Sequence, residues 1–416
     1  MNTNNNCMIA QSGGPTVAIN ASLAGIIKEA INNNAIGTVY GAINGVKGLM
    51  EDRLLNLSDI FGGNDELLNK LTLTPAMYLG SCRYRLKTPD VDSTDYELVF
   101  NIFKKYDIKY FLYIGGNDSM DTVAKLSDYA KKINYDINIM GVPKTIDNDL
   151  ACTDHTPGFG SAAKYIATSI LEIAHDAYIY NVESVTIVEI MGRNVGWLTG
   201  AAALARNSYS EAPHLIYLPE RAFDKDEFIA SVKELLGKRK HVIVAISEGI
   251  HDDKGNYISA SSDNVDQFGH VALSGAGKYL ENLVAKEIGC KVRSVELNVL
   301  QRCATHISSG ADISESFEIG RYALKQTVEG QTGKMVTINR ISSSPYEYEL
   351  GTKSIHDIAN VEKGVPLEWI NAEGNDVLEA FYTYARPLIE GENFNLGYCG
   401  GIPSYMDVSH LYGLKK

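Results

Sequence analysis

From its seventh residue the chain alternates short apolar runs with segments of helical spacing, and glycines mark several of the junctions. CMIAQ (7–11) reads as a strand, SGGPT (12–16) as a turn and Val17 to Ile31 as a helix. Pro15 suits that helix's first turn, where its missing amide hydrogen is no loss. Thr38 to Ala42 is the next strand, and Ser93 to Tyr106 has helical spacing. YFLYI (110–114) is a buried strand, GGNDS (115–119) a turn, and Met120 to Lys131 a helix. Ile137 to Val142 is an apolar strand that Pro143 ends. The order then repeats, with a helix from about Gly160 to Tyr178, a strand at Val185 to Ile190 and a helix starting near Arg193. HLIYLPE and HVIVAISEG supply two more strands. A helix at Gly277 to Ile288, a strand at Val292 to Leu297 and a helix at Ser314 to Val328 follow. This order predicts the α/β class: mostly parallel, helix-covered sheets joined by right-handed crossovers. The last ~70 residues are acidic, tyrosine-rich and less periodic, and suit either a carboxyl-terminal cap or an oligomer contact.

At 416 residues the chain exceeds one typical core and fits two or three domains. Its 38 lysines and arginines face 51 acids, a net charge of −13 that argues against general binding of nucleic acid or an anionic membrane. A local cluster of basic residues is then expected to hold an anion. None of the six cysteines forms a CxxC pair or has zinc spacing with histidine, which suits free thiols in a reducing compartment. MNTNNN lacks the basic start and apolar centre of a signal peptide, and no apolar run approaches ~18 residues. A cytoplasmic protein with no membrane partner is expected.

The chemistry concentrates in GVPKTIDND (141–149). One lysine, one hydroxyl and two carboxylates follow a strand end, where ligands of open α/β sheets bind. Asp147 and Asp149 are two apart, so an extended segment would put both on one side with Thr145. A carboxylate there can take a proton from an attacking hydroxyl, and Lys144 can neutralise a phosphoryl charge. Read alone, so short a polar stretch favours a turn in which the aspartates hydrogen-bond nearby backbone amides. Three glycine turns that open helices, SGGPT, GGNDS and MGRNVG (191–196), can offer backbone amides to phosphate oxygens. Arg83, Arg193, Arg293 and Arg302 lie near strand ends, where a guanidinium fork grips phosphate or pairs with a surface acid. Glu248, in AISEG, can bond a polyol hydroxyl or cap the next segment. SGAGKY (274–279) imitates a P-loop, but Ala272 replaces its first glycine and Tyr279 its magnesium hydroxyl, so it reads as a helix start.

SGGPT, LGSCRYR, GGNDS, PKTIDND, MGR, the SEG glutamate and LQR stand in the order and rough spacing of the phosphofructokinase family, which the chain resembles from about Cys7 to Arg321. The resemblance implies two Rossmann-like three-layer domains with mostly parallel sheets facing a cleft, plus a carboxyl-terminal extension. It divides the chain into a phosphoryl-donor domain (1–158), a sugar-phosphate domain (159–300), and a return segment and extension (301–416) packing on both. Asp147 resembles the base that deprotonates the sugar's 1-hydroxyl, and Thr145 and Arg193 the groups that steady the phosphoryl. Gly14, Arg83, Asn117, Asp118, Ser119 and Lys144 match donor contacts. Thr145, Asp147, Met191, Gly192, Arg193, Glu248, Arg293 and Arg302 match acceptor contacts. Asp149 and Asn117 match the surroundings of Mg2+.

Members that use ATP carry glycine where this chain has Asp118 and Lys144. The chain therefore resembles the branch that uses diphosphate. A carboxylate at Asp118 repels a nucleotide's α-phosphate, while an ammonium at Lys144 compensates the leaving group. The activity implied is reversible phosphoryl transfer from diphosphate to fructose 6-phosphate, in a homo-oligomer (dimer or tetramer). An ATP-dependent enzyme and a catalytically silent regulatory member are the alternatives. The chain departs from the family pattern at Asn117, where an aspartate is usual, at Asn298 and Val299 before QR, and at Ser184 in place of an arginine.

Overall fold

The computed structural model describes residues 5–258, 275–393 and 395–412. Its strands, in chain order, are β1 (Asn6–Gln11), β2 (Val39–Ala42), β3 (Leu54–Asn56), β4 (Ile108–Gly115), β5 (Asn138–Pro143), β6 (Ser184–Ile190), β7 (Leu215–Tyr217), β8 (His241–Ser247), β9 (Lys291–Glu296), β10 (Lys334–Ser343) and β11 (Tyr346–Ser354), with a small further hairpin at Tyr398–Cys399 and Ile402–Pro403. Compact units divide the chain as Met1–Ser161 with Arg302–Glu362 and Gly391–Lys416, and Ala162–Gln301 with Lys363–Glu390. The region beyond residue 301 is thus shared out between the two.

The first unit holds a seven-stranded sheet in the order β11-β10-β5-β4-β1-β2-β3. Its middle is parallel, and each edge ends in an antiparallel partner, β3 on β2 and β11 on β10. β4, sequence IKYFLYIG, is buried from Tyr110 onward, as a parallel strand covered on both faces must be. Against one face packs the helix Ile19–Ile31, and on it lies Gly310–Val328. Their backbones meet at two glycines. A Cβ on Gly25 would stand 2.0 Å from the Phe317 carbonyl oxygen, and one on Gly320 would stand 2.1 Å from that of Ser22. Any side chain there forces the helices apart.

In the second unit a four-stranded parallel sheet runs β7-β8-β6-β9. Glu189 on β6 accepts from the Gly277 amide (2.7 Å) and so caps the helix Ala276–Glu287. That helix begins at the decoy P-loop; Ala272 and Ser274 lie outside the described residues. Among the described residues no helix is long and apolar enough to cross a membrane.

Several element starts differ from those read in the sequence. The first helix begins at Ile19, after Thr16 Oγ1 has accepted from the Ala18 and Ile19 amides, so Pro15 precedes the helix. The helix expected from Met120 begins at Asn117, which turns Asn117, Asp118 and Ser119 into its first turn. The helix expected near Arg193 begins at Trp197, because residues 191–196 are occupied in turning. β11 falls in the tail read as weakly periodic.

Candidate active site

The first unit gathers three loops at the carboxyl ends of the adjacent parallel strands β1, β4 and β5. Lys144 leaves β5 and is only 2% exposed. Its amide donates to the Gly115 carbonyl (3.0 Å) and its Nζ to that of Gly14 (2.8 Å). The ammonium therefore sits against the SGGPT turn, while the lysine's own backbone is tied to the GGNDS turn. Gly13, at φ +84, needs the left-handed freedom of glycine, and a Cβ there would also lie 3.1 Å from the ammonium. Ser12 and Ser119 hydroxyls meet at 2.9 Å, and Ser81 of the LGSCRYR loop donates to the Gly13 carbonyl (2.7 Å). Burial pulls Lys144 down to about 8, Asp147 and Asp149 partly offset that, and Arg302 adds to it.

Beyond Lys144 the loop folds back on itself. Thr145 pairs with Gly158, its amide donating to the Pro157 carbonyl. Thr145 Oγ1 accepts from the Asp147 amide (3.1 Å) and lies 3.4 Å from Asp147 Oδ2. The segment is not extended, as the two-residue spacing of the aspartates suggested. Asn148 turns it, at φ +58, and its Oδ1 accepts from the Thr156 amide (3.0 Å). Asp149 Oδ1 is shut off from solvent without a hydrogen-bond partner. Burial, then Asp147 and Glu362, push the Asp149 carboxyl up to about 7. Below the loop, His155 is held between Asp154 (2.8 Å) and Glu315 (2.6 Å). Burial opposes its charge, but the two carboxylates outweigh that and hold it up to about 9.

Asn117 and Asp118 flank the first turn of the Asn117–Lys132 helix. Asn117 spends both ends of its amide on other backbone: Nδ2 donates to the Val361 carbonyl and Oδ1 accepts from the Asn360 amide. Asp118 and Arg83 are exposed. Arg302, expected beside the sugar phosphate, belongs to this first unit, with Nη1 3.6 Å from where a Cβ on Gly14 would be.

The second unit brings together Met191, Gly192, Arg193 and Glu248 at the carboxyl ends of β6 and β8. Gly192, at φ +138, donates its amide to Glu248 Oε1 (3.3 Å), and its carbonyl accepts from Ser247 Oγ. A Cβ on Gly249 would stand 1.8 Å from the Arg193 carbonyl oxygen, so the two loops touch backbone to backbone. Arg193 Nε is a buried donor without a partner. Gln301, 2% exposed, accepts from the Met191 amide (3.3 Å). The LQR motif contained Gln301, yet only its arginine stood out in the sequence. Arg293 does not join this group. It sits inside β9 opposite Thr186, half-exposed and facing Asp176 (3.5 Å), ~16 Å of strand short of Met191.

Two sheets whose carboxyl ends carry glycine turns, a buried ammonium and paired carboxylates define a phosphoryl-transfer protein. Residues 6–323 match the profile of the phosphofructokinase family, and the chain belongs to that family. It is 38% identical over 414 residues to the pyrophosphate–fructose 6-phosphate 1-phosphotransferase of Methylococcus capsulatus, covering 99% of this chain and 97% of that one. Identity to the protein of the same name from Xanthomonas campestris pv. campestris is 38% over 416 residues, covering 100% and 98%. The crystal structure of a pyrophosphate-dependent phosphofructokinase from Nitrosospira multiformis matches with a TM-score of 0.87 at 36% identity, over 97% of this chain and 96% of that one. The family and α/β fold expected from the motifs are therefore borne out.

Proposed function

We propose that the chain transfers a phosphoryl group from diphosphate to the 1-hydroxyl of fructose 6-phosphate, giving fructose 1,6-bisphosphate and phosphate in a reversible glycolytic step. The observation that carries this reading is Lys144, an ammonium buried against the SGGPT turn and tied through its backbone to the GGNDS turn, with Asp118 on the nearest helix end. A small, highly charged donor suits such a centre, whereas a nucleotide's α-phosphate meets the Asp118 carboxylate. Relatives named for this reaction support it at full length.

In this reading the first unit takes diphosphate and the second takes the sugar phosphate. Gly14, Asn117, Asp118, Ser119 and Arg83 line the donor side. Asp147 accepts the proton of the 1-hydroxyl as its oxygen bonds to phosphorus and the bond to the leaving phosphate breaks. Thr145 and Arg193 steady the phosphoryl in transit; the partnerless Nε of Arg193 supports an anion there. Lys144 compensates the charge that grows on the leaving phosphate. Met191, Gly192 and Glu248 orient the sugar. The partnerless Asp149 Oδ1 fits a hard cation, and Mg2+ held by it and by phosphate oxygens would neutralise phosphoryl charge. Among the described residues no group of three or more His, Cys, Asp or Glu stands ready to hold a metal. Asn117, engaged with residues 360–361, would act through a bound water. Arg293, far from its own chain's Met191, would serve the acceptor of a second copy in a cytoplasmic homo-oligomer.

Initial rates with fructose 6-phosphate and either diphosphate or ATP test the reading. Turnover with diphosphate and almost none with ATP is expected. Efficient turnover with ATP alone would make the chain an ATP-dependent 6-phosphofructokinase, and none with either donor a silent regulatory member.

A further inference from the structure

The tail segment 355–362 runs along one face of the Asn117–Lys132 helix toward its donor end. His356 faces Asp128 (3.2 Å), Asn360 Nδ2 donates to Asp121 Oδ1 (3.1 Å), and the 360–361 backbone takes up the amide of Asn117. Asn117, Asp121 and Asp128 share one face of the helix. From there the segment pairs Glu362 with Leu150, next to Asp149. Its base is fixed, for Ile355 and Ile358 are fully buried in the cluster that contains Met120 and Leu150. Asn360, at φ +63, adopts the left-handed turn that aims its amide at Asn117. Arg85 Nη2 reaches Asn360 Oδ1 at 3.5 Å, and its Nε lies 3.8 Å from the same Asp121.

We propose that residues 355–362 act as a length gauge on the phosphoryl donor, closing its site along the Asn117–Asp121 face so that nothing longer than diphosphate enters. The inference rests on the reading of the first unit as the diphosphate site. A donor seated on the amides of Gly116 to Ser119, with its reacting end toward Asp147, has its far end over this helix turn. Backbone already fills that face from Asn117 to Leu150. Asp118 discourages a third phosphate by charge, which salt screens; the strap excludes it by volume, which salt does not. It also gives the carboxyl-terminal region, a cap or an oligomer contact by sequence, a task inside its own chain.

The test uses inorganic tripolyphosphate, which lengthens the donor by one phosphate and adds no nucleoside. Its inhibition constant against diphosphate is measured at fixed free magnesium for wild type, Asn360→Gly and the double variant Asn360→Gly/Val361→Gly. Glycine accepts the left-handed backbone at 360 without strain, so the single variant loses only the ties to Asp121 and Arg85. The inhibition constant, relative to the KM for diphosphate, should fall severalfold in the single variant and about tenfold or more in the double, the latter ~1.4 kcal/mol. The KM for diphosphate should itself stay within about threefold, since the phosphate-binding turns are untouched. An unchanged ratio in both variants overturns the gauge; if the double variant does not fold, an unchanged ratio in the single variant does so alone. Wild type that uses diphosphate while the variants stay closed refutes only the gauge. Wild type that ignores diphosphate refutes the functional reading instead.

Discussion

Replacing Lys144 by Met should make the protein more stable and nearly inactive. The lysine is buried and its ionisation lies at about 8, against 10.5 for an ordinary lysine. Held that far below an ordinary lysine by burial, the charge costs the fold ~3 kcal/mol. The substitution also strips the Gly14 carbonyl of its donor, costing about 1 kcal/mol, which leaves a net gain of about 2 kcal/mol at pH 7. At ~2 °C per kcal/mol for units of this size, Tm should rise by about 4 °C. The pH dependence has a definite sign. Below pH 8 the lysine is charged in both folded and unfolded states, and the folded state bears the whole cost. Between about 8 and 10.5 the unfolded chain binds the extra proton, so wild type gains stability with rising pH and the gap to the variant closes. Catalysis should move the other way, with kcat down by about 10²–10³, as when one donor to a developing anion is removed. For wild type, kcat/KM for diphosphate should decline above pH 8, while kcat holds to higher pH because the bound anion retains the proton. Thermal unfolding from pH 7 to 10 and initial rates over the same range decide the matter. A variant that is less stable at pH 7, or that keeps kcat within about threefold, refutes the reasoning.

Asp147→Ser should lower kcat by about 10²-fold or more with little change in the binding of either substrate, as measured by kinetics and calorimetry. Asp118→Gly should tighten ATP binding without useful turnover, and adding Lys144→Gly should change donor preference non-additively; initial rates with both donors for the three variants show this. Arg302→Ala should raise the KM for diphosphate by about tenfold or more because the guanidinium stands against the Gly14 turn, and a rise confined to fructose 6-phosphate would return it to the acceptor.

The buried parallel strands were legible in the sequence because solvent is absent from both their faces. YFLYI and VIVAI are continuous apolar runs; β4 extends the first by Ile108, Lys109 and Gly115, and β8 adds only His241 and Ser247 to the second. Helix starts were harder to see. The first turn of a phosphate-type helix is glycine and polar residues, so Asn117 to Ser119 read as loop although they are helical. YEYEL alternated visibly, with the tyrosines half-buried and the glutamates exposed in β11, but the acidity of the tail masked a strand on the sheet's edge. Lys144, Asp147 and Arg193 stood out in the sequence by residue type and order. The left-handed turn at Asn148, the partnerless oxygen of Asp149 and the strap over Asn117 did not, because each depends on contacts between distant segments. Arg293 differs in kind: its residue type suited a phosphate, and its position within β9 sets it apart from Met191, Gly192 and Arg193 of its own chain.

The neighbour of β5 in the sheet has a consequence for how the protein is made. β5 delivers Lys144 and Asp147, and among the described residues its outer side is paired by β10, which begins at residue 334. At ~5–20 residues per second a ribosome needs roughly 10–40 s to travel from the end of β5 to that strand. Throughout that interval NIMGVP has one edge of unpaired backbone. The helix Gly310–Val328, which must dock on Gly25 through Gly320, is also still missing for most of it. The nascent chain therefore carries the strand that ends at Lys144 as an open, apolar edge until the ribosome has passed the hairpin of β10 and β11.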